Sequence, residues 1–110
     1  MGTRYVNDKG FSDTLDFLIV ALCRDFQTRE RAIAENSCNR RTLMEYEYIN
    51  IRLVEAAREI AGEEYGNYIY EIGERIGYAY SRVNAASETD YKIKKKEVKI
   101  NIARKLHLLD

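Results

Sequence analysis

Residues 42–62 read TLMEYEYINIRLVEAAREIAG, and this stretch decides the fold class. Tyr46, Ile49, Leu53, Ala56, Ala57 and Ile60 recur at steps of three and four, which places them on one face of a helix. Thr42 and Glu45 have the spacing of a capping box, and Asn39 could cap equally well. Gly62 stands where a left-handed C-cap is expected. The stretch therefore predicts a long helix with one buried side.

Working outward, residues 63–76 predict a third helix with the stripe Tyr65, Ile69, Ile72 and Ile76, and with Gly77 as its stop. Gly66 and Gly73 inside it each cost about 1 kcal/mol against Ala. They either permit a close helix approach or leave the helix short and soft. Residues 77–86 break the pattern and read as a loop, or a loop with one helical turn. Ser87 then caps a fourth helix running to about Leu108, with Glu88 and Asp90 in its favourable first turn. Its inner face is expected to be Tyr91, Val98, Ile102, Leu106 and Leu109, with Ala103 beside them and the lysines outward. Upstream, Ser12 or Asp13 starts a first helix that continues to Glu35. Its stripe is Leu15, Leu18, Leu22, Phe26 and Ile33, widened by Phe17, Ile19, Val20 and Cys23. Its second half is charged and expected to be exposed, and residues 36–39 form a turn. Residues 1–11 show no period and read as a loosely ordered arm. The expectation is an all-α, small four-helix bundle forming one compact domain, with a helical body over 12–77 and a basic C-terminal segment over 78–110.

Composition agrees. With 110 residues, 45% hydrophobic and 33% charged, the chain supports one modest core in a soluble protein. Pro is absent and Gly totals 6, which favours uninterrupted helices. The apolar run Phe17–Cys23 is closed by Arg24 and Asp25 and lacks a basic leader, so neither a membrane span nor a signal peptide is expected. Two cysteines, Cys23 and Cys38, make no disulfide framework and no four-ligand zinc site; reduced thiols in a cytoplasmic protein are expected.

The formal net charge is zero, from 18 basic and 18 acidic residues. That zero hides a division. Residues 1–77 hold 10 basic and 14 acidic residues, whereas residues 78–110 hold 8 basic and 4 acidic. Lys92, Lys94, Lys95, Lys96 and Lys99 crowd the start of the fourth helix around the single acid Glu97, and Arg82 precedes it. A Gly-terminated helix, a connector and a Ser-capped basic helix together suggest a helix-turn-helix, in which the second helix sets its N-terminal residues against base edges. Thr89, Lys92 and Lys96 would then lie near the groove beside Glu88, with Tyr91 in the core or on a phosphate. The connector exceeds the three-to-four-residue turn of the plain motif.

Enzyme chemistry finds no support. His107 is the only histidine and suits the cationic preference of a helix end. The carboxylate pairs (Glu45 with Glu47, Glu63 with Glu64, Glu71 with Glu74) lack a histidine partner and read as solvated faces. No glycine-rich phosphate loop is present. No catalytic residue, metal, cofactor or small-molecule substrate is expected. Nine tyrosines suit packing with the hydroxyl left wet, between helices or between subunits.

The stretch Ile72–Tyr78, then Ser81, then Ser87–Val98 and Ile102–Leu106, resembles the RinA and ArpU type late-transcription regulators of Gram-positive phages and prophages. Leu22–Phe26 with Arg31–Ile33 resembles their opening, so the likeness spans residues 15–109. The resemblance implies a C-terminal segment similar to the promoter-reading helix-turn-helix of sigma factors, in a regulator that binds double-stranded DNA; a homodimer is expected of such a regulator. It implies that Ser87, Thr89, Lys92, Lys95, Lys96 and Lys99, with Glu88 and Tyr91, line the DNA-facing helix, and Arg82 precedes them. Asp90 beside Glu88 departs from that pattern, because two acids at the helix start repel phosphate. The acidic first part, the tyrosines and Asp90 motivate the alternative, a non-enzymatic helical interaction or oligomerisation module in which Tyr68 and Tyr70 dominate assembly.

Overall fold

Side chains set the helix boundaries. In a computed structural model of the chain, which describes residues 10–109, Ser12 accepts from the Leu15 amide at 3.1 Å and opens α1, Asp13–Arg24. Asn39, not the Thr42–Glu45 pair, caps α3, Arg40–Ala61, by accepting from the Thr42 amide at 2.9 Å. Ser87 accepts from the Asp90 amide at 3.1 Å and opens α5, Glu88–Lys105, as its sequence position predicts. Between these lie α2, Phe26–Glu35, and α4, Tyr65–Glu74, with 3₁₀ turns at Gly62–Glu64 and Tyr78–Tyr80. The described residues are helical with no strand, in four helical stretches of which the first is broken.

That break is the first difference from expectation. Asp25 leaves helical geometry (φ −89°, ψ 6°) between α1 and α2. The break accompanies Arg29, which lies buried in the half of the helix expected to be exposed. Its Nη2 donates to the Leu22 carbonyl, and its Nε donates to Asn50 Oδ1 at 2.6 Å. Asn50 Nδ2 donates in turn to the Phe26 carbonyl and to Glu30 Oε2. A buried guanidinium must satisfy its donors, and bending the chain at Asp25 brings the Leu22 carbonyl within its reach.

Helix ends also depart from the glycine rule. α4 stops at Arg75, left-handed at φ 57°, rather than at Gly77. Asn36 (φ 52°) after α2 and His107 (φ 63°) after α5 adopt the same conformation. Each closes a pair of reverse hydrogen bonds; around Arg75 they are Arg75 N–H to Ile72 O and Ile76 N–H to Glu71 O. His107 therefore terminates the last helix rather than lying within it. Gly62 caps α3 with a positive φ of 57°, but its ψ of −128° lies outside the left-handed helical region expected of it, and the chain runs on into the Gly62–Glu64 turn.

The core gathers Ile19, Val20 and Cys23 from α1, Leu53, Ala56 and Ala57 from α3, Tyr68, Ile69 and Ile72 from α4, and Tyr91, Val98, Ile100, Ile102 and Ala103 from α5. The α1 stripe is thus centred on Ile19–Val20–Cys23, and Leu18, assigned to it from spacing, is exposed. Of the expected N-terminal arm, residues 1–9 lie outside the described residues, while Phe11 packs into the core. α3 packs against α2, α4 and α5, and α5 packs against α1, α3 and α4. The last helix is therefore surrounded. Leu106 and Leu109 join its inner face as expected, partly buried.

Three ionisable groups are held neutral in this core. Burial pushes the Cys23 thiol up to about 12 from an ordinary 9.0 and the Tyr68 phenol to about 12 from 10.0. Burial, reinforced by the hydrogen bond to Glu71, raises Tyr91 as well. Raised folded-state values mean that the unfolded chain gives up these protons first. The stability they carry is complete below about pH 9 and is lost as pH climbs toward 12, by up to about 1.4 kcal/mol per pH unit for each group. Urea midpoints measured between pH 8 and pH 11 should fall steeply above pH 9 to 10, and Cys23→Ala should delay the onset. A flat profile would contradict the burial of these three side chains.

Candidate functional site

The residues expected to meet DNA separate into two groups. Arg82, Ser87, Thr89 and Lys92 are exposed near the opening of α5. Two of these have local partners. Lys92 Nζ lies 2.9 Å from Glu88 Oε2, and the Ser87 hydroxyl is the helix cap. Lys95, Lys96 and Lys99 turn toward the body instead of outward. Lys95 Nζ donates to the Ile76 carbonyl at 2.8 Å and lies 4.9 Å from the Tyr91 ring centre. Lys96 Nζ lies 5.1 Å from the Phe11 ring centre. Lys99 Nζ pairs with Asp16 Oδ1 on α1 at 2.8 Å. Burial lowers the Lys95 pKa, and neighbouring Lys99 lowers it further, against the opposing pull of Glu71 and Asp16. The expected outward display of lysines fails here because α5 packs against α1 and α4, where Asp16 of α1 draws in Lys99 and the Ile76 carbonyl, just past α4, draws in Lys95.

A buried carboxylate organises the connector. Glu71 on α4 is 2% exposed. Its Oε1 accepts from Ser81 Oγ at 2.7 Å and from Tyr91 Oη at 2.8 Å, and its Oε2 accepts the Arg82 backbone N–H at 2.7 Å. Tyr91 Oη also lies 3.0 Å from the Ile76 carbonyl. The loop, α4 and α5 thus meet on one carboxylate. Sequence reading paired Glu71 with Glu74 on a solvated face. The signal that could have found it is its position between Tyr68 and Ile72, on the side of α4 that the stripe buries.

The tyrosines divide similarly. Tyr68 is core, so it does not serve as an assembly residue, whereas Tyr70 is exposed. Among the described residues, no group of three His, Cys, Asp or Glu side chains is placed to hold a metal ion. No described helix is long and apolar enough to cross a membrane.

The outer face of α3 is a feature that sequence reading did not single out. Met44, Tyr48 and Ile51 are 57%, 44% and 51% exposed. They follow one another at steps of four and three, hence on one side of the helix, opposite the core residues Leu53, Ala56 and Ala57. The Arg52 guanidinium lies 5.1 Å from the Tyr48 ring centre, and Arg41–Glu45 and Arg52–Glu55 pair along the same side at 3.8 and 2.6 Å. An open depression of about 740 Å³ lies beside the N-terminal half of this helix. The described residues lining it, Arg40, Arg41, Met44, Glu45, Tyr48 and Ile49, all belong to α3. A helix whose two opposite sides are both apolar satisfies one inside its own domain and leaves the other for a partner.

No protein-family model, curated protein or solved structure matches this chain.

Proposed function

We propose that the protein is a non-enzymatic helical interaction module whose working surface is the outer face of α3. The observation that carries this is the exposed row Met44, Tyr48 and Ile51 on a helix already anchored through its other side. Single exposed apolar residues are ordinary, but three in register with charged residues on their flanks have the make-up of an interface centre and rim. Replacing Met44 and Ile51 together by Glu tests the reading. The double variant should keep its helical circular dichroism and a thermal midpoint within about 5 °C of the parent, since neither side chain fills the core. In the dilute monomer, Met44 and Tyr48 should oxidise rapidly under hydroxyl radicals. Collapse of the double variant, or protection of both side chains in the monomer, would remove the proposal.

A second reading, DNA binding at the opening of α5, rests on the common exposure of Arg82, Ser87, Thr89 and Lys92 and on the resemblance of this segment to the RinA and ArpU type regulators. Arg82 and Lys92 would meet phosphates and Thr89 a base edge. Lys95, Lys96 and Lys99 would support the helix from behind. A mobility shift on phage promoter DNA at two salt concentrations is the test. This reading expects a shift that weakens with salt and disappears on changing Arg82 and Lys92 to Glu; no shift at low salt excludes it.

A further inference from the structure

We infer that the outer face of α3 is covered by the same face of a second copy of this chain, running antiparallel to it. The inference rests on the interaction-module reading above and specifies its partner.

The order of residues along that face matches such a partner. From its N-terminal end the row reads Arg41, Met44, Tyr48, Ile51, Glu55. Tyr48 is its centre, with Met44 four residues before and Ile51 three after, and the two charged ends each lie seven residues from it. The row is close to symmetric in size and antisymmetric in charge. A two-fold interface places residue i on residue j and residue j on residue i. With the helices antiparallel about Tyr48, Arg41 of each copy meets the second copy's Glu55, and Glu45 comes beside the second copy's Arg52. The three apolar side chains close the middle. A parallel pair sets each residue against itself, Arg41 on Arg41 and Glu55 on Glu55, so like charges meet at both ends.

Placement supports the same partner. The in-chain pairs Arg41–Glu45 and Arg52–Glu55 hold these charges along the face, where a second copy can share them. The side chains of Arg41 and Glu55 are 91% and 43% exposed, so both are available. The depression beside α3 has one wall among the described residues, and a second α3 supplies the other. The row is about 21 Å long at 1.5 Å per residue, and its apolar part is small. The interface therefore falls at the low end of specific contacts, with a dissociation constant on the order of 10–100 µM. Met44, Tyr48 and Ile51 supply most of the affinity, while the charges set direction.

Sedimentation of the full chain over a range from roughly 1 to 500 µM tests this, spanning the expected constant on both sides. A monomer–dimer equilibrium is expected, and Ile51→Glu should weaken it by about tenfold or more. Arg41→Glu alone and Glu55→Arg alone should each weaken it about three- to tenfold, and the two changes combined in one chain should bring it back near the parent. The combined chain restores opposite charges only in the antiparallel arrangement. In a parallel pair, like charges already meet, and neither single reversal alters the affinity. Should Ile51→Glu fail to fold, as read by circular dichroism, the reversals at two exposed positions still decide. A chain that stays monomeric throughout overturns the inference, including where the face is then taken by a different protein. A dimer indifferent to all of these changes overturns it too, since it forms through another surface. Either result leaves the module reading standing as long as Met44 and Tyr48 oxidise freely in the dilute monomer. Protection of both there removes the module reading itself.

Discussion

Glu71→Ala is expected to lower the thermal midpoint by roughly 15 °C, reflecting a loss of about 3–5 kcal/mol. Three donors converge on this carboxylate: the Ser81 hydroxyl, the Arg82 amide and the Tyr91 phenol. Truncation removes their acceptor; the Tyr91 phenol is buried and the other two donors are partly so, and an unmet buried donor costs far more than a surface bond contributes. Tyr91 keeps the Ile76 carbonyl as a partner; Ser81 Oγ keeps the Val83 amide and a contact with the Tyr91 hydroxyl but loses its carboxylate acceptor. Glu71→Gln should lose nearly as much, because an amide offers one acceptor oxygen and points two donors at groups that already donate. Differential scanning calorimetry gives the midpoint. Hydrogen exchange should show residues 77–86 opening while the helix junction of α2 and α3 keeps its protection. A shift under about 5 °C would mean that the carboxylate does not hold the connector.

Gly73→Ala is the second large effect, expected near 3 kcal/mol of destabilisation. A Cβ at this position would lie 2.7 Å from both Cα and N of Arg24 and 2.9 Å from the Cys23 carbonyl carbon. These are backbone atoms of α1, so no rotamer change relieves the contact and the two helices must separate. The Arg24 Nε bond to the Gly73 carbonyl, at 3.2 Å, would lengthen with them. Gly66 in the same helix supplies the control. A Cβ there meets nothing within 4 Å, so Gly66→Ala should stabilise by about 1 kcal/mol through helix propensity alone. Opposite signs in urea denaturation are the expected result; equal signs would contradict the close approach of α1 and α4.

The two glycines show where sequence reading reaches its limit. Spacing identifies both as costly to a helix and leaves open whether close approach or softness explains them. The answer depends on which residue of another helix lies opposite, and no local pattern encodes that. Arg29 and Glu71 carry the same lesson. Both are charged residues in helical stretches, and their chemistry by default predicts solvent. Their burial follows from partners about ten to twenty residues away or more, Asn50 for one and Ser81, Arg82 and Tyr91 for the other. The lysines of α5 show it most clearly. Their crowding is legible, but whether they face outward depends on how many neighbours the helix has, and it has three.

Local pattern is enough for the helical class, the Ser87 cap and the apolar sides of α3 and α4, because caps and 3.6-residue periodicity act within one or two turns. Packing settles the rest: α5 meets three other helices, three of its lysines are drawn toward the body, and Met44, Tyr48 and Ile51 remain uncovered. The reason is geometric. A helix position has a direction from its own sequence, but what stands in that direction is set by the packing of every other helix at once.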